Sequence, residues 1–225
     1  MKKVKERMKK ALEIEECNSF VVSYSGGKDS TVLLHIGLEL AKEIGAKIFI
    51  NYSDTLVENP IIHKHAFSTL ERVKEYCRKE GVNCEIKIAT PDIKHTYWVN
   101  LIGKGYPLPS HKFRWCQDKL KIRPMKKVIK KIKNSVMFVE VRSDESQDRA
   151  RSFKKRAKEN FHLGRNGLPV YAPIMDLTEK EVWEFLLSSE PPYGGSYQDV
   201  ISIYKEARGE CPLIPEKTFI KTGAA

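Results

Sequence analysis

VVSYSGGKDSTVLL, residues Val21 to Leu34, runs from an apolar strand-like segment through a serine-glycine-glycine turn straight into an apolar helix-like segment. That layout brings backbone N–H groups and a helix N-terminus to one point, where they can hold a phosphate. Lys28 adds a mobile cation, Asp29 a carboxylate for a metal or a proton, and Ser25 and Ser30 add hydroxyl donors. The stretch therefore reads as a cradle for nucleotide phosphates. It is not a Walker A loop, because the four-residue spacing between a glycine and Gly-Lys is absent. Nor is it the G-x-G-x-x-G of dinucleotide binders.

Outward from the cradle, strand-like and helix-like segments alternate. Ser19 to Ser23 is the first strand, apolar enough for burial on both faces. The helix after the cradle carries Leu33, Ile36, Leu40, Ala41 and Ile44 on its apolar side and stops at Gly45. AKIFINYS, residues 46–53, is the second strand, and it delivers Asp54 to the edge where open α/β sheets bind ligands. Pro60 opens a long helix with Ile62, Ala66, Leu70, Val73 and Cys77 on one face, and Gly81 ends it. Cys84, Ile86 and Ile88 alternate through a third strand, so Cys77 and Cys84 both read as core thiols. His63 and His65 form a weak His-x-His that reads as lying on the helix surface, and His95, His111 and His162 show no metal-ligand spacing.

Thr90 to Trp115 has no clear period and reads as a long loop or short helices, a length usually reserved for function. A helix follows from Asp118 to Lys131, interrupted or started at Pro124; Lys126, Lys127, Lys130, Lys131 and Lys133 make it a solvated face or a phosphate-backbone track. Val136 to Val141 is a fourth strand that ends in Arg142. Then come the basic run RARSFKKRAK, a Gly/Asn break at Gly164 to Gly167, and an extended piece from Leu168 to Ile174. Thr178 and Glu181 form a capping box for a helix carrying Val182, Trp183, Phe185 and Leu186, and after a turn at Pro191 to Gly195 a last helix runs to about Arg208. At the other end, Val4, Met8, Leu12 and Ile14 mark a helix from Lys2 to about Cys17. The expected architecture is α/β: a doubly wound, mostly parallel sheet with flanking helices and a small C-terminal helical appendage. Its parts are an N-terminal helix (1–17), a nucleotide-binding α/β domain (18–177) and the appendage (178–225).

The 225 residues, 41% hydrophobic and 31% charged, suit a soluble globular protein, with no apolar window of membrane-spanning length. The basic N-terminus lacks the apolar centre of a secretory signal, so a cytoplasmic location is expected. Forty Lys and Arg against 29 Asp and Glu leave +11, which favours polyanionic partners or reflects a heat-adapted surface. Five cysteines, an odd number, argue for core, catalytic or metal roles over a disulfide framework.

Ser25-Gly26-Gly27-Lys28-Asp29-Ser30 resembles the PP-loop of the adenine nucleotide alpha hydrolases, the ATP pyrophosphatase superfamily. Four further segments resemble the sulfonucleotide reductases of that superfamily: Ser53-Asp54-Thr55 and its continuation to Pro60; Arg114-Trp115-Cys116 with Lys121 and Pro124; Arg142 with Glu145-Ser146 and Arg149; and Tyr171-Ala172-Pro173-Ile174 with Glu181-Val182-Trp183. Within this PAPS reductase-like group, residues 54–60 together with Gly209-Glu210-Cys211-Pro212-Leu213 look most like the DndC proteins of DNA phosphorothioation. The chain departs from the pattern at Glu140, where relatives usually have glycine. It also lacks the cysteine pair that follows Cys211 in DndC-like iron–sulfur proteins, and it has Gln117 where cluster-containing reductases place a second cysteine.

The resemblance implies ATP with Mg²⁺, phosphates held by Ser23, Ser25, Gly26, Gly27, Lys28, Asp29 and Ser30, and Asp54 near the ribose or metal. Lys28, Asp29 and Arg142 are the expected catalytic residues, with Asp29 as the Mg²⁺ ligand. Arg142 and Arg149 would hold nucleotide or a second anion, since guanidinium forks match phosphate. Lys121, Arg114 and Glu145 would face the acceptor substrate. Cys116 and Cys211 are the expected iron–sulfur ligands, and the implied partners are DNA and a sulfur-delivering cysteine desulfurase, with an oligomer compatible. Sulfonucleotide reduction and a non-catalytic nucleotide- and nucleic-acid-binding module are the alternative readings.

Overall fold

The computed structural model describes residues 1–110, 113–145, 162–165 and 167–206, with only the backbone at 145, 162–165, 205 and 206. Its six-stranded sheet comprises β1 (Ser19–Tyr24), β2 (Lys47–Ser53), β3 (Cys84–Ala89), β4 (Ser135–Phe138), β5 (His162–Arg165) and β6 (Pro169–Tyr171), in the order β3-β2-β1-β4-β6-β5. Five strands run parallel and β5 alone is antiparallel, against β6. The expected mostly parallel α/β sheet is thus present.

Strand periodicity decides what each face buries. Phe20, Val22 and Tyr24 of β1, Ile48, Ile50 and Tyr52 of β2, and Val136 and Phe138 of β4 point into one large core. The intervening Val21, Phe49 and Met137 point to the other face, where they meet Ile129, Ile132 and Leu168. This period-two division is why the central strands read as continuous apolar runs. The large core is roofed by α1 (Lys2–Ile14), α2 (Lys28–Ile44), α3 (Pro60–Glu80), α5 (Glu179–Ser188) and α6 (Gln198–Glu206); α4 (Arg123–Ile129) lies on the other face.

Local chemistry sets the helix ends. Asn59 caps α3 by accepting from the Ile61 amide (2.9 Å), with Pro60 at the first helical position. Thr178 and Glu181 form the expected capping box on α5. α2 and α3 stop at left-handed Gly45 and Gly81. Among the described residues, no helix is long and apolar enough to cross a membrane.

Several boundaries differ from expectation. β4 ends at Phe138 rather than Val141, because the chain leaves the ladder after Val139, whose amide donates to Tyr171 O (3.0 Å). The helix expected from Asp118 to Lys131, interrupted or started at Pro124, is a π-helical turn, Gln117–Ile122, followed by α4, which starts at Arg123 with Pro124 in its first turn and ends at Ile129. The Gly/Asn break overlaps β5, since Gly164 pairs with Val170 across a bulge. The loop after β3 holds a short 3₁₀ turn, Ile93–His95, and a π-helical turn, Val99–Gly103. Ile14, Ile44 and Ile88, expected on apolar faces, are exposed: Ile14 and Ile44 are the last residues of their helices, and Ile88 lies on edge strand β3. Cys77 is a core thiol, and Cys84 packs against the same core half-buried.

Candidate nucleotide site

β1 is flanked by β2 on one side and β4 on the other, and α2 leaves its C-terminal end, so the cradle lies at the topological switch point of the sheet. The loop's shape is self-made. Gly26 has φ +81, and a Cβ there would stand 3.3 Å from Ala66 Cβ on α3. Both the backbone amide and the hydroxyl of Ser25 donate to Ser30 Oγ (3.1 and 3.0 Å). Ser30 Oγ and Thr31 Oγ1 then donate to the Gly27 carbonyl (2.9 and 2.8 Å). Ser30, expected as a ligand donor, is fully buried and serves the loop's own geometry. Gly27, the N-cap of α2 in extended conformation, has no side chain to cap the first turn, so its amides turn to other partners, and that of Lys28 takes the Tyr204 hydroxyl.

Asp29 and Arg142, expected together from motif alone, meet in space. Arg142 Nε lies 2.6 Å from Asp29 Oδ1, and both residues are almost wholly buried. The contact is an ion pair. Arg142 Nε and Asp29 Oδ1 satisfy each other's charge, and neither makes a further hydrogen bond among the described residues. Lys28 Nζ stands 3.6 Å from Asp29 Oδ2 and 3.4 Å from Glu179 Oε1. Arg142 is tied down by Asp144 and by donation to Leu177 O (3.3 Å), and Asp144 in turn accepts from the Glu179 amide (2.9 Å).

Glu140, noted from the sequence only as a departure, belongs to this site. Burial pushes its carboxyl above the usual range, opposed by hydrogen bonds from its own backbone and from Ser23, while the charge of Asp29 adds to the rise. The parallel pairing of β1 with β4 carries it there: Val22 is registered with Phe138, and Glu140 follows two residues past the end of that ladder, within hydrogen-bond reach of Ser23. No local motif marks such a position. The carboxylates of Asp29 and Glu140, close enough to feel each other's charge, are the oxygen ligands a hard cation takes, so the residues present fit Mg²⁺.

The other predicted residues are more dispersed. Asp54 is buried; its Oδ1 accepts from the Leu56 amide (2.9 Å) in a turn, and its Oδ2 faces His63 Nε2 at 3.5 Å. Lys121 pairs with Glu58 at 3.3 Å and adds positive charge near Glu140. Arg114 is exposed, and Glu145 closes a 3₁₀ turn, Ser143–Glu145. His65 is a correction to the helix-surface reading. It is buried, its Nε2 has no hydrogen-bond partner among the described residues, burial lowers its pKa, and its ring edge lies 3.8 Å from where a Cβ on Gly26 would stand.

Cys116 packs half-buried against the Tyr97, Trp115 and Leu120 cluster, where the Trp115 indole donates to Pro107 O (2.9 Å). Arg149 and Cys211 lie outside the described residues. Among the described residues, no three His, Cys, Asp or Glu side chains gather in metal-binding geometry, and a four-thiolate iron–sulfur site is not assembled by them.

Trp183 of α5, read from the sequence only as part of a family segment, and Tyr204 of α6, which no motif reading singled out, close the site from the two C-terminal helices. Tyr204 accepts from the Lys28 amide at 3.3 Å, and Lys28 Nζ lies over its ring at 4.7 Å and over the Trp183 ring at 6.0 Å.

A model of the phosphoadenosine phosphosulfate reductase domain matches residues 19–200. Two uncharacterized proteins of Methanocaldococcus jannaschii are related in sequence. MJ0066 is 31% identical over 182 residues, 79% of this chain and 33% of its own length. MJ0973 is 26% identical over 175 residues, 78% of this chain and 37% of its own. The chain thus spans about a third of the length of these curated relatives. Its fold is shared with phosphoadenylyl-sulfate reductase from Candida auris, crystallised as a phosphate complex (TM-score 0.51, 13% identity, 82% of this chain and 78% of that one). It is shared equally with NAD⁺ synthetase from Burkholderia pseudomallei (TM-score 0.54, 14% identity, 89% and 69%). With the family match running from β1 into α6, the chain belongs to the phosphoadenosine phosphosulfate reductase domain family.

Proposed function

We propose that the chain is an ATP pyrophosphatase that cleaves between the α and β phosphates and transfers the adenylyl group to an oxygen acceptor, activating it for sulfur incorporation. The observation that carries this reading is the convergence of Lys28, Asp29 and Arg142 at the N-terminus of α2, at the sheet's switch point. The β and γ phosphates sit in the loop 25–30. Lys28 and the first-turn amides of α2 stabilise charge developing on the departing pyrophosphate, a preorganised electrostatic contribution. Arg142, held by Asp29 and Asp144, presents its remaining donor capacity to an α-phosphate oxygen or to the acceptor.

Asp29 and Glu140 would hold Mg²⁺, which when bound supplies Lewis-acid neutralisation of the phosphate oxygens. The acceptor oxygen bonds to the α phosphorus as the bond to the bridging oxygen breaks, and pyrophosphate leaves. A sulfur nucleophile then replaces the adenylated oxygen, releasing AMP. In the DndC-like form of this proposal the acceptor is a DNA backbone phosphate, and a cysteine desulfurase delivers the sulfur. The exposed lysines of α4 and its flank, Lys126, Lys127, Lys130, Lys131 and Lys133, are compatible with such a polyanion.

The test is an anaerobic incubation of the protein with Mg²⁺ and ATP, with and without DNA, that resolves AMP and pyrophosphate from ADP and phosphate. AMP with pyrophosphate supports the proposal. ADP with phosphate, or no turnover in either condition, overturns it. Sulfonucleotide reduction is the second reading, favoured by the family model itself. It requires a thiol to take up the sulfonate, for which Cys116 and Cys211 are the candidates. Sulfite release from phosphoadenosine phosphosulfate in the presence of a dithiol reductant, lost in Cys116→Ser or a Cys211→Ser variant, would establish it instead.

A further inference from the structure

Both donors of Lys28 are already engaged, and the engaging groups come from the far end of the chain. Its amide, the first of α2, donates to the Tyr204 hydroxyl at 3.3 Å. Its ammonium lies over the Tyr204 ring and beside Glu179, leaving the side chain 12% exposed. The Tyr204 oxygen also stands 3.0 Å from where a Cβ on Gly27 would be, so it fills the space that the glycine leaves open above the loop. A phosphate oxygen approaching Gly27 and Lys28 needs that same space and that same N–H.

We infer that Tyr204 is a built-in occupant of the phosphate cradle, whose hydroxyl an incoming polyphosphate must displace. The inference rests on the nucleotide reading of the loop. The anchoring of α6 allows the exchange without unfolding. Val200 and Ile201 are buried in the core, and Tyr197 just before the helix is fixed through a 2.6 Å hydrogen bond to His35 Nδ1. Tyr204 is one turn further on, half-buried, with its ring edge-on to Trp183 at 5.3 Å. Its side chain can swing while the helix stays. A neutral hydroxyl is the weaker partner for a helix N-terminus, because an anion gains from the dipole as well as from the hydrogen bond. Tyr204 therefore lowers affinity without abolishing binding, and it keeps Lys28 ordered until the anion arrives.

The experiment is calorimetric titration of the whole chain with inorganic pyrophosphate, comparing wild type with Tyr204→Phe, which keeps the ring against Lys28 and Trp183 and removes only the oxygen. The expected result is binding about 3- to 10-fold tighter in the variant, the worth of one ordinary hydrogen bond. Equal or weaker binding by Tyr204→Phe overturns the inference while leaving the nucleotide site standing. No binding by either protein removes the nucleotide reading, and the inference with it. Should the variant fail to fold, wild type alone decides through tryptophan fluorescence. A pyrophosphate-induced change that disappears in Trp183→Phe supports displacement of the neighbouring tyrosine, and calorimetric binding with no such change overturns it.

Discussion

The two sides of the cradle are built by opposite means. One side is the run from Ser25 to Thr31, closed by hydrogen bonds among Ser25, Gly27, Ser30 and Thr31. The other is a wall gathered from Arg142 beyond β4, Glu179 and Trp183 on α5, and Tyr204 on α6, up to 176 positions from Lys28. The first side holds its shape with little outside help. The second exists only while the sheet and the appendage share a core through Val182, Leu186, Tyr197 and Val200. A change in the loop should therefore act on chemistry, and a change in the wall on stability and affinity together.

The sharpest break is Lys28→Ala. Loss of a positioned charge-stabilising donor typically costs about 100- to 1000-fold in turnover. Pyrophosphate release from ATP should fall by that order, while circular dichroism and thermal melting stay near wild type. Arg142→Ala attacks the wall instead. It strands the buried Asp29 carboxylate, and removing one partner of a buried pair costs about 3 to 5 kcal/mol. Chemical denaturation should show that loss, and Arg142→Lys should recover stability better than activity because an ammonium lacks the fork.

Glu140→Gln should weaken Mg²⁺ affinity about 10-fold, the low end for altering a metal-site group, read as a rightward shift in the Mg²⁺ dependence of turnover. Thr178→Ala removes the cap of α5 at a cost of about 1 kcal/mol, seen as a melting-temperature drop of a few degrees with little change in the loop's own chemistry.

The smallest effect is one of pH. His35 faces Tyr197 of the appendage, with Glu39 on its own helix and Lys5 of α1 nearby. Burial lowers its folded pKa, outweighing the pull of Glu39. The unfolded chain thus binds the proton more readily, so the contribution of neutral His35 is present above about pH 6.5 and is lost as pH falls below that value. Melting temperature should decline more steeply between pH 7 and 5 in wild type than in His35→Gln.

What could be read in the residues, and what could not, divides along the same line. The sheet strands were legible because burial on both faces demands unbroken apolar runs, as in Phe20 to Val22 and Ile48 to Ile50. The antiparallel β5 was not, since its Gly164 and Arg165 read as a break and only pairing with β6 makes them a strand. His65 looked like a surface histidine because its helix is amphipathic, yet α3 packs directly behind Gly26 and buries it. Glu140 looked like an anomaly, and the register of β4 against β1 turned it into a site carboxylate.

The phosphate-binding loop, its lysine and its aspartate are written in adjacent residues, because a left-handed glycine, a helix start and hydroxyl crosslinks are short-range devices whose geometry needs no distant partner. The family pattern and the α/β alternation are of the same kind. Which groups oppose that loop was decided by tertiary structure alone. Strand order, helix packing and the return of α6 set the distances from Lys28 and Asp29 to Arg142, Glu140 and Tyr204, and such distances depend on the whole core rather than on any neighbour in the chain.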